Sequence, residues 1–379
     1  MTEKKRMPNM ELLRCLAMMM VVVLHYLGKG KVLPVMTSET VTGSVWLGWT
    51  GTIAWMLEAL AIVAVNIYML ISGYFLCTSS FKLSRLLSLW IQLWLYSVLF
   101  GVLGAELGIV AETSVDTHYF LTLLFPVTMG HYWFMTAYIF LYVCLPLVGT
   151  AVKRMTKHQL ATAWVLLLVV FSVLKSVLPF RLESDLKGYD FVWYLCVFVA
   201  AAYVRRFGLP LLEKRGRALC LYGVSCVLIL AGTFTLRFLY LKTGSLSRII
   251  TICFEYNHIL PFLGALGLFI AFMKVKVPGK IAGVIYKIAP HTLGVYLLHE
   301  NLGLRYTWEN WLGADKIDSV SSLLLRTVLA VMAVFAAGIL VDMILKGALH
   351  LVHAVGCRIG GYRKVIESIQ RVDGYFRES

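Results

Sequence analysis

Charged residues are scarce in this chain. Of its 379 residues, 15% are Asp, Glu, Lys or Arg and 60% are hydrophobic, whereas a soluble globular domain carries about 25% charged residues. The sequence also lacks a polar stretch that is long enough to form a separate soluble domain. These two shortages exclude a soluble multidomain protein and favour one domain embedded in a membrane.

Cysteine pairs suited to disulfide bonds are lacking as well. The chain has eight cysteines, but they fall in apolar runs, at the edges of such runs, or at predicted cytoplasmic ends. No predicted outside loop contains two of them. The sequence therefore predicts free thiols that serve as small apolar residues.

Long apolar runs recur along the whole chain instead. Each is about 17 to 25 residues long and can cross a hydrocarbon core of about 30 Å. They predict an all-α, polytopic integral membrane protein with about ten transmembrane helices, at 11–28, 52–76, 86–108, 132–151, 160–178, 190–204, 218–240, 258–273, 283–303 and 321–345. The apolar segment 117–130 is too short for a further span and is predicted to be re-entrant or interfacial.

The basic residues predict the orientation. The net charge is +15, and with the N-terminus inside, most of the 35 Lys and Arg residues fall in inside segments, as the positive-inside rule requires. They form short clusters and no basic stripe, so no nucleic-acid partner is expected. Both termini are then cytoplasmic, with a membrane domain at 1–345 and a basic tail at 346–379 on the inner leaflet surface. The expected location is the cell membrane, either inner or plasma.

Two polar residues interrupt the first predicted span. Arg14 and His25 are eleven positions apart, which is three helical turns plus about 20°, so both project from one face roughly 16 Å apart. Glu11 lies one turn before Arg14 and can pair with it. Such residues within a span are functional candidates, because they cost free energy unless their face is buried or wet. The structural alternative is that Arg14 snorkels to the inner headgroups and His25 makes one interhelical hydrogen bond.

A second group of candidates lies where the chain returns to the cytoplasmic side. One span ends in Ser72, Gly73 and Tyr74, and a short turn then presents Lys82 and Arg85 three positions apart. Gly73 permits the close approach of a backbone or a ligand. Two cations one turn apart could clamp a phosphate. The alternative is ordinary basic flanking of a span.

Further candidates lie at the predicted outer ends of spans. Tyr132 and Trp133 fit either an aromatic belt at the membrane interface or contacts with a substrate. His299 and Glu300 are adjacent, so in a helix they point about 100° apart and only one is expected to face the interior. Their alternative role is a polar pair near the outer end.

Histidines elsewhere do not indicate a metal site. His350 and His353 are three positions apart in the tail, but they lack Cys or carboxylate partners at ligand spacing. His258 and His291 are isolated in the sequence and are interpreted as structural. The sequence therefore predicts no bound metal.

Several sequence pieces occur together: Arg14-x10-His25, Ser72-Gly73-Tyr74-Phe75, Lys82-x-x-Arg85, Tyr132-Trp133-Phe134 and Tyr296-x-x-His299. In this combination the chain resembles the acyltransferase-3 family of membrane O-acyltransferases, such as bacterial surface-polysaccharide O-acetyltransferases, over about residues 9–345. The first two pieces are fairly specific together, and the others are weak alone. The resemblance implies ten core helices, an acyl-CoA donor on the cytoplasmic side and an acceptor sugar on the outer side.

The resemblance also implies roles for individual residues. His25 would be the catalytic histidine and Arg14 its partner. The expected acyl-CoA contacts are Arg14, Ser72, Gly73, Tyr74, Lys82 and Arg85. Lys82 stands where the family has Arg, which keeps the charge but loses bidentate geometry. The expected acceptor contacts are Glu39, Tyr132, Trp133, His299 and Glu300, since Tyr, Trp and acidic residues suit a carbohydrate or a lipid-linked glycan.

The resulting hypothesis is acyl transfer from cytoplasmic acyl-CoA to a hydroxyl on the outer side, with acetyl-CoA as the default co-substrate and no tightly bound cofactor. His25 would act either as a general base or as the carrier of the acyl group. A transporter or flippase for lipid-linked sugars, with His25 as a proton relay, is the main alternative. A non-enzymatic membrane sensor is the second. The sequence leaves the acceptor and the oligomeric state open.

Overall fold

A computed structural model describes residues 6–37, 46–111, 113–178 and 185–376. Within these ranges the protein is all-helical and contains no β-strand, which confirms the predicted fold class. The candidate Glu39 lies outside the described residues, so its predicted role is left as it stands.

The described α-helices are α1 Pro8–Lys29, α2 Gly48–Ala61, α3 Ala64–Leu76, α4 Leu83–Glu106, α5 Thr117–Leu124, α6 Trp133–Val143, α7 Leu145–Arg154, α8 Lys157–Leu168, α9 Leu174–Val177, α10 Phe191–Phe207, α11 Arg215–Thr243, α12 Ile259–Met273, α13 Gly279–Ile288, α14 Thr292–His299, α15 Trp308–Trp311, α16 Val320–Gly356 and α17 Gly360–Tyr375. A π-helical turn joins α8 to α9 at Val169–Val173. Short 3₁₀ turns are found at Pro210–Leu212, Ser247–Ile249, Ile252–Phe254, Ala289–His291 and Ala314–Lys316.

Eight helical stretches among the described residues are long and apolar enough to cross a membrane, so the chain is a multi-pass membrane protein. They are Pro8–Lys29, Gly48–Leu76, Leu83–Glu106, Lys157–Val177, Arg215–Thr243, Ser247–Met273, Gly279–His299 and Val320–Gly356. A ninth is obtained if α6 and α7, which meet at a 63° bend, form one span.

Two of the ten predicted spans have no counterpart among these eight stretches. The span predicted at 132–151 is broken between α6 and α7, because Pro146 in the first turn of α7 cannot donate a backbone hydrogen bond to the preceding turn. The span predicted at 190–204 is α10, which has 17 residues, close to the lower limit of about 17 to 25 for a crossing helix. The number ten and the cytoplasmic position of both termini stay predictions.

The boundary predicted at residue 345 falls inside helix α16 and stays a prediction. Helix α16 continues to Gly356, and α17 then folds back onto the start of α4. The Asp373 carboxylate accepts hydrogen bonds from the Ser84 backbone N–H at 3.2 Å and the Ser84 hydroxyl at 2.5 Å. The ring of Phe376 lies 4.9 Å from that of Phe81. The end of the tail therefore packs beside the turn that carries Lys82 and Arg85.

Helix α1 lies in the middle of the bundle. It packs against α2, α3, α12, α13, α14 and α16. Ala17 and Tyr26 are nine positions apart and so lie on opposite sides of α1, and both are fully buried. In contrast, only 17% of the apolar stretch that contains α8 and 22% of that in α11 are buried, as expected for helices that face lipid. The polar side chains of α1 are therefore enclosed by protein, where they can be paired.

The buried carboxylate of Asp342 links helix α4, the 3₁₀ turn before α14 and helix α16. Asp342 of α16 is fully buried, and its Oδ1 accepts hydrogen bonds from Gln92 at 2.7 Å and Tyr96 at 3.0 Å. His291 Nδ1 and Lys346 Nζ each lie 2.7 Å from the other oxygen. Because polar groups inside an apolar bundle have no water to replace a lost partner, this cluster fixes α4 and the 3₁₀ turn before α14 against α16.

We expect Asp342→Ala to lower the free energy of unfolding by about 3–5 kcal/mol, since it leaves buried partners of a charged group unpaired. The measurement is the thermal unfolding midpoint of the purified protein in detergent. Glu367→Ala on the exposed face of α17 is the control and should change stability by at most about 1 kcal/mol. An Asp342→Ala protein that unfolds at the wild-type temperature would contradict this role.

Candidate active site

Arg14 and His25 line the same cavity. Helix α1 is continuous from Pro8 to Lys29, so the two side chains keep the spacing of one straight helix. The cavity has a volume of about 290 Å³ and is lined by α1, α3, α4, α6, α14 and the segments next to them. The predicted common face of the first span is therefore the wall of an internal cavity.

One end of this cavity carries two guanidinium groups. Arg14 pairs with Glu11 at 2.5 Å, as its spacing allows, and Arg85 donates to the Tyr138 hydroxyl at 2.9 Å. The Arg85 guanidinium also lies 5.4 Å from the centroid of the Tyr142 ring. Ser72 lines the cavity as well. Two fixed cations near one end of a cavity can bind phosphate groups.

Three other residues that were predicted to contact acyl-CoA do not line this cavity. Lys82 is not among its lining residues, and the Lys82 backbone N–H donates to the Tyr142 hydroxyl at 3.0 Å. A Cβ atom on Gly73 would lie 2.8 Å from the Ala201 Cβ, so this glycine permits close packing of α3 on α10. The Tyr74 hydroxyl accepts a hydrogen bond from Arg205 at 2.9 Å.

The other end of the cavity is built around His25. Its Nδ1 atom lies 2.8 Å from His299 Nε2 and 3.1 Å from Glu300 Oε1. The same Glu300 oxygen pairs with the ammonium group of Lys29, which lies one helical turn beyond His25. Glu300 is buried, so its charge is balanced by groups of the protein. We refer to His25, Lys29, His299 and Glu300 as the histidine cluster.

The hydrogen bonds of the histidine cluster determine where the ring protons lie. His299 Nδ1 is 2.6 Å from the carbonyl oxygen of Val295, which can only accept, so this nitrogen carries the proton. In a neutral His299 ring, Nε2 then has a lone pair and accepts from His25 Nδ1–H. His25 Nδ1 is thus protonated, and His25 Nε2 of the neutral ring is left with its lone pair.

Both His299 and Glu300 reach His25, and the expectation that only one of them faces the interior was wrong. That expectation assumed a helix through both residues. Helix α14 ends at His299, and the next residue leaves helical geometry with φ −93° and ψ 2°. Glu300 still donates its backbone N–H to the Tyr296 carbonyl at 3.1 Å, and its carboxylate reaches the same centre as the ring of His299.

The histidine cluster also contains a donor set that a metal could use. The ligand atoms of His25, His299 and Glu300 lie within 4.8 Å of one another, and two imidazoles with a carboxylate suit Zn²⁺. The Lys29 ammonium already pairs with the carboxylate, and the two imidazoles already bond to each other. A metal would have to displace these partners, so the contacts favour a hydrogen-bonded acid–base cluster. The predicted absence of a metal stays a prediction.

The two aromatic candidates on α6 point to different places. Trp133 lines the cavity. Tyr132 is fully buried outside it, where its hydroxyl donates to the Leu297 carbonyl and accepts from Asn301, at 3.0 and 2.9 Å. Tyr132 therefore joins α6 to the end of α14, and the structure does not bring it to the cavity.

Three residues of the site were not among the candidates predicted from the sequence. Lys29 has a local signal, because it follows His25 by four positions and so lies on the same helix face. Tyr68 lines the cavity and donates to the Arg14 carbonyl at 2.9 Å. Tyr256 lines the cavity from a short segment far away in the sequence, and no spacing in the sequence indicates that.

The acyltransferase-3 family model, which describes an acyltransferase domain, matches residues 7–342. The match includes α1, the histidine cluster and both guanidinium groups of the cavity. No curated protein and no solved structure matches the chain significantly.

We expect diethyl pyrocarbonate to modify His25 faster than His299, because only His25 has a ring nitrogen with a free lone pair in the described contacts. Peptide mass spectrometry after short exposure of the purified protein measures both residues. The exposed His158 at the start of α8 is the positive control. If His299 reacted first while His158 reacted normally, the assigned tautomers would be wrong.

Proposed function

The chain belongs to the acyltransferase-3 family, and we propose that it is a membrane O-acyltransferase that moves an acyl group from cytoplasmic acyl-CoA to a hydroxyl of an extracytoplasmic or lipid-linked glycan. Acetyl is the proposed group. The observation that carries the proposal is one cavity with Arg14 and Arg85 at one end and His25 at the other.

The inner end of the cavity supports the proposed donor. Arg85 presents a planar, permanently charged group that suits phosphate oxygens, and Arg14 supplies a second. Along α1 the rise from Arg14 to His25 is roughly 16 Å, comparable to an extended pantetheine arm. Phosphates held by the arginines would therefore present the thioester close to His25.

The outer end supports the proposed chemistry. An acceptor hydroxyl next to His25 Nε2 would lose its proton to that nitrogen as its oxygen attacks the thioester carbonyl carbon. The new C–O bond replaces the C–S bond, CoA leaves as the thiolate, and the imidazolium returns the proton to the sulfur. Glu300 stabilises the imidazolium from 3.1 Å. Transfer through an acyl group carried on Nε2 requires the same free nitrogen.

His299 and Glu300 were predicted as acceptor contacts, but their hydrogen bonds support another role. His299 fixes the ring of His25 through Nδ1, and Glu300 is held in place by Lys29. We therefore propose that both position His25, while Trp133 keeps its proposed role as an acceptor contact because it lines the cavity.

His25→Ala should lower acceptor acetylation at least 100-fold, since general acid–base catalysis contributes about 10²–10⁴-fold. Membranes that carry the variant are incubated with radiolabelled acetyl-CoA and the labelled glycan is counted. His158→Ala, on the exposed surface, is the matched control and should retain wild-type activity. Wild-type acetylation by the His25→Ala protein would refute the assignment of His25.

Arg85→Gln should raise the KM for acetyl-CoA about tenfold, because hydrogen bonds to charged groups contribute about 1.5–3 kcal/mol. Lys82→Gln should raise it less, since Lys82 does not line the cavity, and the double variant should resemble Arg85→Gln. Lys276→Gln, which removes an exposed cation predicted to be on the same side, is the control. An equal KM for all these variants and the wild type would show that CoA binds elsewhere.

A further inference from the structure

Three aromatic side chains from different parts of the chain meet beyond His25. The ring centroid of Trp133 lies 4.5 Å from that of Tyr189 and 5.8 Å from that of Tyr256. The Tyr189 and Tyr256 centroids are 4.8 Å apart. We call Trp133, Tyr189 and Tyr256 the outer aromatic cluster.

The outer aromatic cluster reaches from the cavity to the protein surface. Trp133 and Tyr256 line the cavity together with His25. Tyr189 packs over both rings from the segment before α10, and 45% of it is exposed. A molecule that approaches His25 from this end would therefore meet the three rings first.

A buried cation holds the segment that carries Tyr189. Lys175 of α9 is 6% exposed and pairs with Asp185 at 2.5 Å. Asn257 donates to Asp185 at 2.8 Å. Gly188, which directly precedes Tyr189, has φ +85°, and a Cβ atom there would lie 2.8 Å from the Asn257 backbone nitrogen. The turn before Tyr189 therefore requires glycine.

The same cation holds the segment that carries Tyr256. Lys175 pairs with Glu255 at 2.6 Å, and its ammonium donates to the Asn257 side chain at 2.6 Å. From the other side, Asn66 of α3 donates to the Tyr256 carbonyl at 2.8 Å. Buried ion pairs contribute little net stability. Their evident effect here is to fix two distant segments so that the rings of Tyr189 and Tyr256 meet.

The chemistry of the outer aromatic cluster fits a sugar ring. The carbon-bound hydrogens of a pyranose form an apolar face that packs on the electron-rich face of an aromatic ring. The hydroxyls of the sugar need a polar rim, and the exposed Lys187 lies two positions before Tyr189. A lipid chain would need an apolar rim instead.

We propose that the outer aromatic cluster is the acceptor subsite, in which one pyranose ring stacks on Tyr189 and Trp133 and directs a hydroxyl towards His25. This inference rests on the proposed acyltransferase function and adds the place where a sugar ring of the acceptor binds. It assigns Tyr189 to substrate binding, and Lys175 to positioning through its pairs with Asp185 and Glu255.

The test uses the full-length protein in lipid nanodiscs. The probe is radiolabelled acetyl-CoA with cell-envelope glycans extracted from producing cells that lack the gene. Tyr189→Ala should raise the glycan concentration for half-maximal transfer about threefold to tenfold, as expected for the loss of one stacking contact. The KM for acetyl-CoA should not change. Tyr189→Phe keeps the ring and should behave as wild type, and Trp49→Ala removes an exposed aromatic elsewhere and should do the same.

The outcomes separate the two proposals. If the wild type transfers acetyl and Tyr189→Ala needs no more glycan than the wild type, the subsite is wrong while the proposed function stands. Faster acetyl-CoA hydrolysis by Tyr189→Ala at an unchanged half-saturating glycan concentration would make the rings a barrier to water, which also overturns the subsite. If the wild type neither hydrolyses acetyl-CoA nor transfers acetyl, the proposed function fails.

Discussion

The hydrogen bond between His25 Nδ1 and His299 Nε2 connects the central helix of the bundle to the end of α14. It forms because α1 is enclosed on most sides and because α14 ends at His299, beside the C-terminal part of α1. The bond leaves one nitrogen of His25 without a proton, facing a cavity whose other end holds two arginines.

Several ionisable groups that are enclosed by this bundle have specific partners, as a membrane interior favours. Asp342 ties α4 and α16 together, and Lys175 ties the segments of Tyr189 and Tyr256 together. The Asp342 cluster joins residues inside α4 and α16 to the 3₁₀ turn before α14, whereas the Lys175 cluster joins irregular segments to α9. Polar clusters that hold the elements around a cavity provide the fixed geometry that acyl transfer needs.

The spacing of Arg14 and His25 was predictable, since positions along one helix follow from its period alone. The long apolar runs likewise predicted most membrane-crossing helices. The shared approach of His299 and Glu300 to His25 was not predictable, because periodicity does not show where α14 ends. Nor was the role of Tyr256, or of Lys175 between two distant segments, since those contacts arise only when helices far apart in the sequence pack together. Tyr132 and Trp133 are neighbours in the sequence, but only Trp133 reaches the cavity, because the first turn of α6 directs the two rings to different sides.

We propose that this chain carries an acyl group from a thioester on one side of the membrane to a hydroxyl on the other. The most direct measurement uses the purified wild-type protein in proteoliposomes, with labelled acetyl-CoA on the side of Arg14 and Arg85 and envelope glycan on the opposite side. The account predicts one glycan ester formed for each CoA released across a sealed bilayer. Intact acetyl-CoA together with unlabelled glycan would contradict it.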